Sequence, residues 1–243
     1  MSATTLTARV RTVWESLAGV PVVFSSVVRV AVSPRSRLCP TGWAALVAIE
    51  SAAIATAPDP SSAQIMQQFL STVPAASVTA ADVHGSKLDI ADMLGPATLA
   101  YLDPVDFRPR LALDLIDQLD ARDPTLRRLL SDAETGDREE SGMEEITSPA
   151  FVIREHAQII AAAGYCDWPG QVAHLSVLTA AHARGRGLGC AAASAAVLHA
   201  LGENKLPQWR ARPEASRRIA RGLGFRELGS QLSIRLGNWN PSE

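Results

Sequence analysis

The sequence predicts an α/β fold, of the α+β kind, because a cluster of β-type runs is followed by helical patterns. Three β-runs with short polar breaks lie at 151–154, 159–165 and 173–179. The break at Glu155–Ala157 suits a hairpin, since so short a connection can join only antiparallel strands. An alanine-rich helical run, Cys190–Leu201, comes next. The 243 residues are enough to bury a full core, in one large or two small domains.

The N-terminal part of the chain predicts both helices and strands. Apolar residues from Leu6 to Leu17 recur at helical spacing, which indicates an amphipathic first helix. Residues 22–32 are rich in valine and predict a strand. The apolar stretches 43–57 and 62–70 predict two helices, and 97–102 predicts a further strand.

The middle of the chain predicts helices at 111–119 and 124–130, and Asp123 before Pro124 is typical of a helix start. Residues 136–145 are polar and acidic, which indicates a loop or a frayed helix. Beyond the alanine-rich run, the pattern predicts a strand, a helix and a last strand, at 208–211, 214–223 and 227–236.

Composition and charge narrow the class of protein. The chain is 47% hydrophobic and 20% charged, which is ordinary for a soluble globular protein. Its formal net charge of −2 gives no global attraction to nucleic acid. The start lacks a continuous apolar leader, and the most apolar run, 42–58, is too short to span a bilayer. We therefore expect a cytoplasmic protein with no nucleic-acid and no membrane partner; a homodimer stays open.

Cysteines and local charge add two observations. The three cysteines are far apart, so we expect neither a disulfide framework nor a zinc site, and no metal. Residues 181–226 carry nine Lys/Arg against two Asp/Glu, whereas 111–145 carry four against eleven. Each segment could be a solvated helical face. Together they also suit a polyanionic ligand at one end of a site and a cationic one at the other.

The most informative segment is a β-run that ends in a glycine-rich loop at the head of a helix. The loop reads Arg-x-x-Gly-x-Gly, with Arg184, Gly187 and Gly189. Glycines let backbone N–H groups approach an anion without a Cβ atom in the way. The helix N-terminus adds partial positive charge to those groups. Strand, loop and helix therefore predict a phosphate-binding cradle, late in the chain and without the spacing of a dinucleotide-binding Rossmann loop.

This segment resembles a known family. The run Val177–Gly189 is similar to motif A of the GNAT acyltransferases, and Glu214–Phe225, which ends in Leu-Gly-Phe, resembles motif B of the same family. The resemblance extends over about 149–236. It implies a GNAT fold, with a central mixed, mostly antiparallel sheet flanked by helices, together with an N-terminal α/β extension. The domains would be 1–95 and 96–243, the first a degenerate GNAT-like half or a substrate-facing appendage.

The resemblance also implies acetyl-CoA as co-substrate, an amine as acceptor, and no metal. In the family, the pyrophosphate binds backbone amides of the loop, the pantetheine arm pairs with the splayed strand before it, and arginines add charge. Carried over to this chain, the cofactor-binding residues are Val177, Leu178, Thr179, Arg184, Gly185, Arg186, Gly187, Leu188, Gly189 and Ser216.

The chain also departs from the family pattern. It has Ala181 where many relatives have proline, Pro213 where many have asparagine, and Ala220 where many have the tyrosine that protonates the departing thiolate. The proton acceptor is not fixed by the pattern either. Three candidates remain for it on chemical grounds: Glu140 in the acidic segment, Asp167 at the end of a strand, and His174 at the start of the central one.

These observations lead to one functional expectation and one alternative. We expect an acyl-CoA-dependent N-acyltransferase that transfers acetyl to a primary amine by direct attack in a ternary complex. The alternative is a non-catalytic acyl-CoA sensor or regulatory module, which the missing tyrosine favours. Antibiotic, polyamine, amino acid and protein amines all remain open as acceptors.

Overall fold

The computed structural model describes residues 3–110 and 116–237. Its helices are α1 Ala3–Leu17, α2 Pro60–Leu70, α3 Ala80–His84, α4 Pro124–Asp132, α5 Thr135–Ser141, α6 Leu188–Gly202 and α7 Glu214–Gly222. Its strands are β1 Val30–Val32, β2 Ala44–Ile49, β3 Ala52–Ala57, β4 Ile90–Tyr101, β5 Ile116–Leu119, β6 Ala150–Glu155, β7 Gln158–Trp168, β8 Val172–Thr179, β9 Leu206–Ala211 and β10 Arg226–Leu236.

The chain divides into two compact units. The N-terminal unit comprises the described parts of 1–99 and 227–243, and the central unit comprises those of 100–226. This differs from the predicted division into 1–95 and 96–243. The reason is the last strand: β10 pairs antiparallel with β2, from Gly229 opposite Ile49 to Ile234 opposite Ala44, so it belongs to the N-terminal unit.

In the N-terminal unit the prediction of a helix over 43–57 is wrong. This stretch forms the β2–β3 hairpin, in which every strand residue is buried. A strand buried on both faces has no alternation of polar and apolar residues, so its apolar run is easily taken for a helix. Glu50 makes the turn with a φ of 57°, and its carboxylate accepts a hydrogen bond from Thr7. Only Val30–Val32 of the predicted strand 22–32 forms a strand, β1, parallel to β3.

Most other predicted elements are present. The first helix, the helix at 62–70 and the helix capped by Asp123 are confirmed as α1, α2 and α4. The predicted helix 111–119 is wrong where it can be checked, because Ile116–Leu119 forms β5, which pairs with β6; residues 111–115 lie outside the described residues. Four strand residues give too short a pattern to distinguish a strand from a helix.

The central unit is a sheet with helices on both faces. Its strand order is β9-β8-β7-β6-β5, with β9 parallel to β8 and the other pairs antiparallel. Alternate residues of β6 face opposite clusters: Phe151 and Ile153 pack with α6, whereas Ala150 and Val152 pack with α4. The predicted mixed, mostly antiparallel sheet flanked by helices is thus confirmed, and the N-terminal unit also contains both helices and strands.

The Leu-Gly-Phe sequence ends α7 for a structural reason. Leu223 and Phe225 are buried in the core of the central unit, and Gly224 between them has a φ of 98°. A Cβ atom on Gly224 would overlap the backbone carbonyl oxygen of Asp106. Only glycine satisfies both the left-handed backbone and this close approach.

Gly224→Ala should therefore destabilise the central unit strongly. We expect a loss of more than about 3 kcal/mol in the free energy of unfolding, from backbone strain and steric overlap together. The matched control is Gly222→Ala, two residues earlier, where a Cβ atom meets open space within the helix. That change should be neutral or stabilise by up to about 1 kcal/mol. Urea and thermal unfolding measure both; equal effects at the two positions would contradict the argument.

Candidate functional site

Strands β8 and β9 pair over a short length and then part. Their register joins Val172 to Leu206, Ala173 to Pro207 and His174 to Gln208, after which β8 continues to Thr179 alongside β7 only. We call the space between the diverging parts of the two strands the splay, and the His174–Gln208 pair its inner end. Along the splay, β8 has no strand neighbour on the side of β9 within the described residues, so this edge can bind an extended ligand. At its end, the Thr179 backbone oxygen accepts a hydrogen bond from Arg184 Nε at 3.3 Å.

The glycine loop lies at the open end of the splay. Gly185 and Gly187 have φ values of 77° and 79°, and a Cβ atom on either would meet open space. Gly187 is the N-cap of α6, and no side chain caps this helix. The N–H groups of the first turn of α6 therefore have neither an intrahelical nor a capping partner, which is the arrangement that binds an anion.

Gly189 is required for a different reason. It lies in the first turn of α6, where a Cβ atom would come within 2.7 Å of Thr179 Oγ1 and 3.5 Å of Val177 Cγ1. The glycine lets α6 begin directly against the end of β8. Val177 and Thr179, predicted to bind the cofactor through their backbone, are therefore beside the cradle, and Leu178 between them packs with α4 on the opposite face.

Both arginines of the loop are held by carboxylates that the sequence analysis did not identify. Arg184 pairs with Asp137 at 2.5 Å, and Arg186 pairs with Glu155 at 2.9 Å. The hydrogen bond from Arg186 is the main cause of a lowered pKa at Glu155. All four side chains are substantially exposed, so each pair contributes little stability and can exchange for a phosphate. For Asp137, the opposite charge of segments 111–145 and 181–226 was the signal in the sequence; Glu155 lies outside both segments.

Helix α5 joins the two sides of the splay. At its C-terminal end the backbone oxygen of Gly142 accepts a hydrogen bond from Ser176 of β8, at 3.1 Å. Glu140 accepts hydrogen bonds from the backbone N–H and the Nε of Arg212, just beyond β9, at 3.2 and 2.8 Å. The candidate Glu140 is therefore located at the open end of the splay, with its carboxylate engaged by a guanidinium.

The candidate Asp167 lies at the other end. It stands opposite Ala173 near the start of β8, and its carboxylate pairs with Lys205 Nζ at 2.6 Å. Lys205 immediately precedes β9. This pair is therefore located where β8 and β9 are still joined.

The candidate His174 is at the inner end of the splay. Its Nδ1 is 2.9 Å from Gln208 Oε1, and the Gln208 amide donates to the Tyr101 hydroxyl at 2.7 Å. The His174 ring stacks on Trp168 with centroids 4.6 Å apart. Burial lowers the pKa of His174 to about 3, and the Arg210 guanidinium acts in the same direction. The imidazole is therefore neutral at physiological pH.

Two further residues of α7, Ser216 and Ala220, contact the core of the fold. Ser216 Oγ accepts a hydrogen bond from the indole Nε1 of Trp209 at 2.9 Å, which fixes a buried ring of β9. Ala220, at the position of the family tyrosine, is buried against the core. The cofactor contact assigned to Ser216 stays a prediction.

A cavity of about 540 Å³ opens beside the cradle, on the α4 face of the sheet. Leu129 and Ile159 contribute apolar wall, and Arg184 with its partner Asp137 lies at one side. Within 3–110 and 116–237, no group of three or more His, Cys, Asp or Glu side chains could hold a metal ion, and no helix is long and apolar enough to cross a membrane.

Comparison with known proteins connects this geometry to a family. Residues 148–230 match a family model described as GNAT acetyltransferase. A search of curated proteins gives no match.

One solved structure has a similar fold, and two others align less closely. A GCN5-related N-acetyltransferase from Kribbella flavida aligns with a TM-score of 0.50 and 17% identity, over 77% of this chain and 82% of that one. A GNAT-family protein from Novosphingobium aromaticivorans has a TM-score of 0.48 and 19% identity, over 60% of this chain and 65% of that one. An acetyltransferase from Colwellia psychrerythraea gives 0.43 and 14%, over 61% and 58%. This chain thus spans less than two thirds of the last two proteins.

The neutral His174 predicts a specific dependence of stability on pH. Its pKa is lowered from 6.5 to about 3 on folding, so below pH 6.5 the unfolded chain binds a proton that the folded protein does not. Well above pH 6.5 both states are unprotonated and His174 does not affect stability; as pH falls from 6.5 toward 3, the free energy of unfolding decreases by up to about 1.4 kcal/mol per pH unit. Urea unfolding of wild type and His174→Gln from pH 8 to pH 5 measures it. Parallel curves for the two proteins would contradict the buried neutral imidazole.

Proposed function

Residues 148–230 match the GNAT acetyltransferase family, and from this premise we propose that the chain transfers an acetyl group from acetyl-CoA to a primary amine. The observation that carries the proposal is the uncapped N-terminus of α6 on a glycine loop, placed where β8 and β9 diverge. That arrangement offers an anion site and an unpaired strand edge side by side. A polyanionic donor with an extended, amide-containing arm suits both.

In this proposal the donor lies along β8. Its pyrophosphate binds the backbone N–H groups of 185–189, with Arg184 and Arg186 released from their carboxylates to the phosphates. Its pantetheine arm pairs with the backbone of Val177, Leu178 and Thr179. From Thr179 back to His174 the strand edge measures about 16 Å. The acyl group then points to the inner end of the splay, where His174 lies.

The chemistry proposed is direct attack in a ternary complex. The nitrogen of the neutral amine forms a bond to the thioester carbonyl carbon, the C–S bond breaks, and CoA leaves as a thiolate. The proton of the attacking nitrogen passes to solvent. With Ala220 buried in place of a tyrosine, no phenol at that position donates to the thiolate, which is a good leaving group without one.

The three candidates for acid–base catalysis lie at different places along the proposed donor. His174 is at the acyl end of the proposed donor and Glu140 is at the open end, on the α5 side from which an amine would approach. Asp167, paired with Lys205 where the strands are joined, is the most remote from the path. We therefore assign His174 and Glu140 to the acceptor side and give Asp167 no step.

The other expectations stay predictions. The three free cysteines and the use of acetyl-CoA suit the cytoplasm. An amine acceptor and a possible homodimer are among these predictions.

A second candidate function is a non-catalytic acyl-CoA sensor. The buried Ala220 favours it, because the usual proton donor to the thiolate is missing at this position. A sensor would bind acetyl-CoA by the same loop and strand and release no free CoA.

The first experiment combines binding with turnover. Wild type should bind CoA in calorimetry and release free thiol from acetyl-CoA when a panel of primary amines is added. Gly187→Val should abolish CoA binding, because a branched side chain at a φ of 79° distorts the loop and projects into the anion site. Gly202→Val, at the other end of α6 and in open space, is the matched control and should bind normally.

The outcomes of this experiment separate the candidates. Binding without amine-dependent thiol release would favour the sensor. Equal CoA affinity in Gly187→Val and wild type would remove the cradle from the proposal. Circular dichroism of both valine variants shows whether the fold is kept.

A second experiment addresses the Arg184–Asp137 pair. Asp137→Asn should raise CoA affinity about 2- to 5-fold at low salt, because it frees the guanidinium and removes a carboxylate that competes with phosphate. The gain should shrink at high salt. Asp132→Asn is the control, since Asp132 lines the same cavity but pairs with Arg128 at 3.8 Å.

The double variant Asp137→Asn/Arg184→Ala tests whether the pair is responsible. It should lose the gain seen in Asp137→Asn alone, because the freed guanidinium is no longer present. If Asp137→Asn and Asp132→Asn changed CoA affinity equally, the gain would come from the overall electrostatic field and not from the Arg184–Asp137 pair.

A further inference from the structure

A chain of hydrogen-bonded polar side chains, from the half-buried His174 to the buried Gln208 and Tyr101, closes the inner end of the splay. His174 and Gln208 are the last backbone pair of β8 and β9, and their side chains are hydrogen-bonded to each other. On the side away from His174, the Tyr101 hydroxyl accepts a hydrogen bond from the Gln208 side-chain amide. Gln208 and Tyr101 have 0% exposure. A buried glutamine is costly unless fully paired, and an apolar side chain would close the sheet as well, so packing alone does not account for it.

The direction of the hydrogen bonds among these side chains determines which ring nitrogen of His174 carries the proton. The Gln208 –NH₂ group donates to Tyr101 Oη, so the atom that meets His174 Nδ1 is the amide oxygen, which can only accept. Nδ1 must therefore carry the hydrogen, and Nε2 of the neutral ring has a lone pair. Stacking on Trp168 holds the ring plane.

Resting on the proposed acyltransfer, we propose that Gln208 is a positioning residue. It holds His174 as the Nδ1–H tautomer, so that Nε2 accepts a hydrogen bond from the N–H of the attacking amine and orients the nitrogen lone pair toward the thioester.

The groups around His174 favour the neutral ring, which accepts a hydrogen bond, over the protonated imidazolium. Arg210 of β9 is the charged group that acts on the ring, and it disfavours a second positive charge there. Trp168 of β7 covers one face, and Gln208 and Tyr101 are neutral. The carboxylates of Glu140 and Glu145 act on Arg210. On β7, Cys166 stands directly opposite His174, and burial raises the pKa of its thiol, so the thiol is neutral.

The tautomer can be measured without any catalysis. Long-range ¹H–¹⁵N spectra of wild type at pH 7 should show one neutral imidazole protonated at Nδ1 and bare at Nε2, and this signal should be missing in His174→Gln. Gln208→Leu removes the acceptor and should shift His174 to the Nε2–H form. Gln208→Glu keeps an acceptor and should keep the Nδ1–H form. An Nε2–H tautomer or an imidazolium in wild type would overturn the proposal.

Kinetics then test what the tautomer does. Gln208→Leu should lower kcat at least tenfold while the Kd for CoA stays within twofold of wild type. Gln208→Glu should retain activity near pH 8, and its acid limb in kcat/KM should lie at least one pH unit above that of wild type, because a carboxylate beside the ring favours the imidazolium. Loss of the Nδ1–H form with unchanged kcat would overturn the role.

A second buried glutamine is the matched control. Gln231, in the N-terminal unit, donates to the Leu38 backbone oxygen at 2.6 Å. Gln231→Leu should lose stability like Gln208→Leu and change neither the His174 tautomer nor kcat. If wild type itself shows no amine-dependent thiol release, the proposed function fails while the spectra still decide the tautomer.

Discussion

The divergence of β8 from β9 is the constraint on which the site depends. Parallel strands in a sheet normally pair along their full common length, and an unpaired edge away from water is costly. Here pairing stops at His174 and Gln208, and β8 continues to Thr179 with one neighbour only. The free edge, the cradle at its end and the polar chain at its start are all consequences of this one interruption.

The packing of α6 turns that edge into a site with a defined end. Gly189 allows the helix to begin against Thr179, and Gly187 allows the loop to turn into the helix without a capping side chain. An anion bound to the free N–H groups is then adjacent to the last residues of β8. The distance between phosphate and acyl group in the proposed donor is thus set by the length of a single strand.

The basic segment 181–226 and the acidic segment 111–145 contact each other, whereas we expected them at two separate ends of the site. We expected a basic end for the donor and an acidic end for the amine. In the structure the two segments are joined by ion pairs, Arg184 with Asp137 and Arg212 with Glu140. Helix α5 carries both carboxylates, so the same short helix neutralises the cradle and the end of β9. Asp137 and Glu140 are therefore already paired before any ligand binds.

The sequence by itself determined the elements whose signals are local. Glycines at a strand-to-helix turn, a proline after a capping aspartate, and β-type runs separated by short polar breaks over 151–179 each depend on a few neighbouring residues. They located the cradle, α4 and the β6–β8 meander. Only the tertiary structure decided the rest. The β2–β3 hairpin was missed because strands buried on both faces have no period, and the last strand joined the N-terminal unit through its pairing with β2. Asp137, Glu155 and Gln208 could not be identified, because the partner of a side chain far away in sequence is set by how the strands and helices pack.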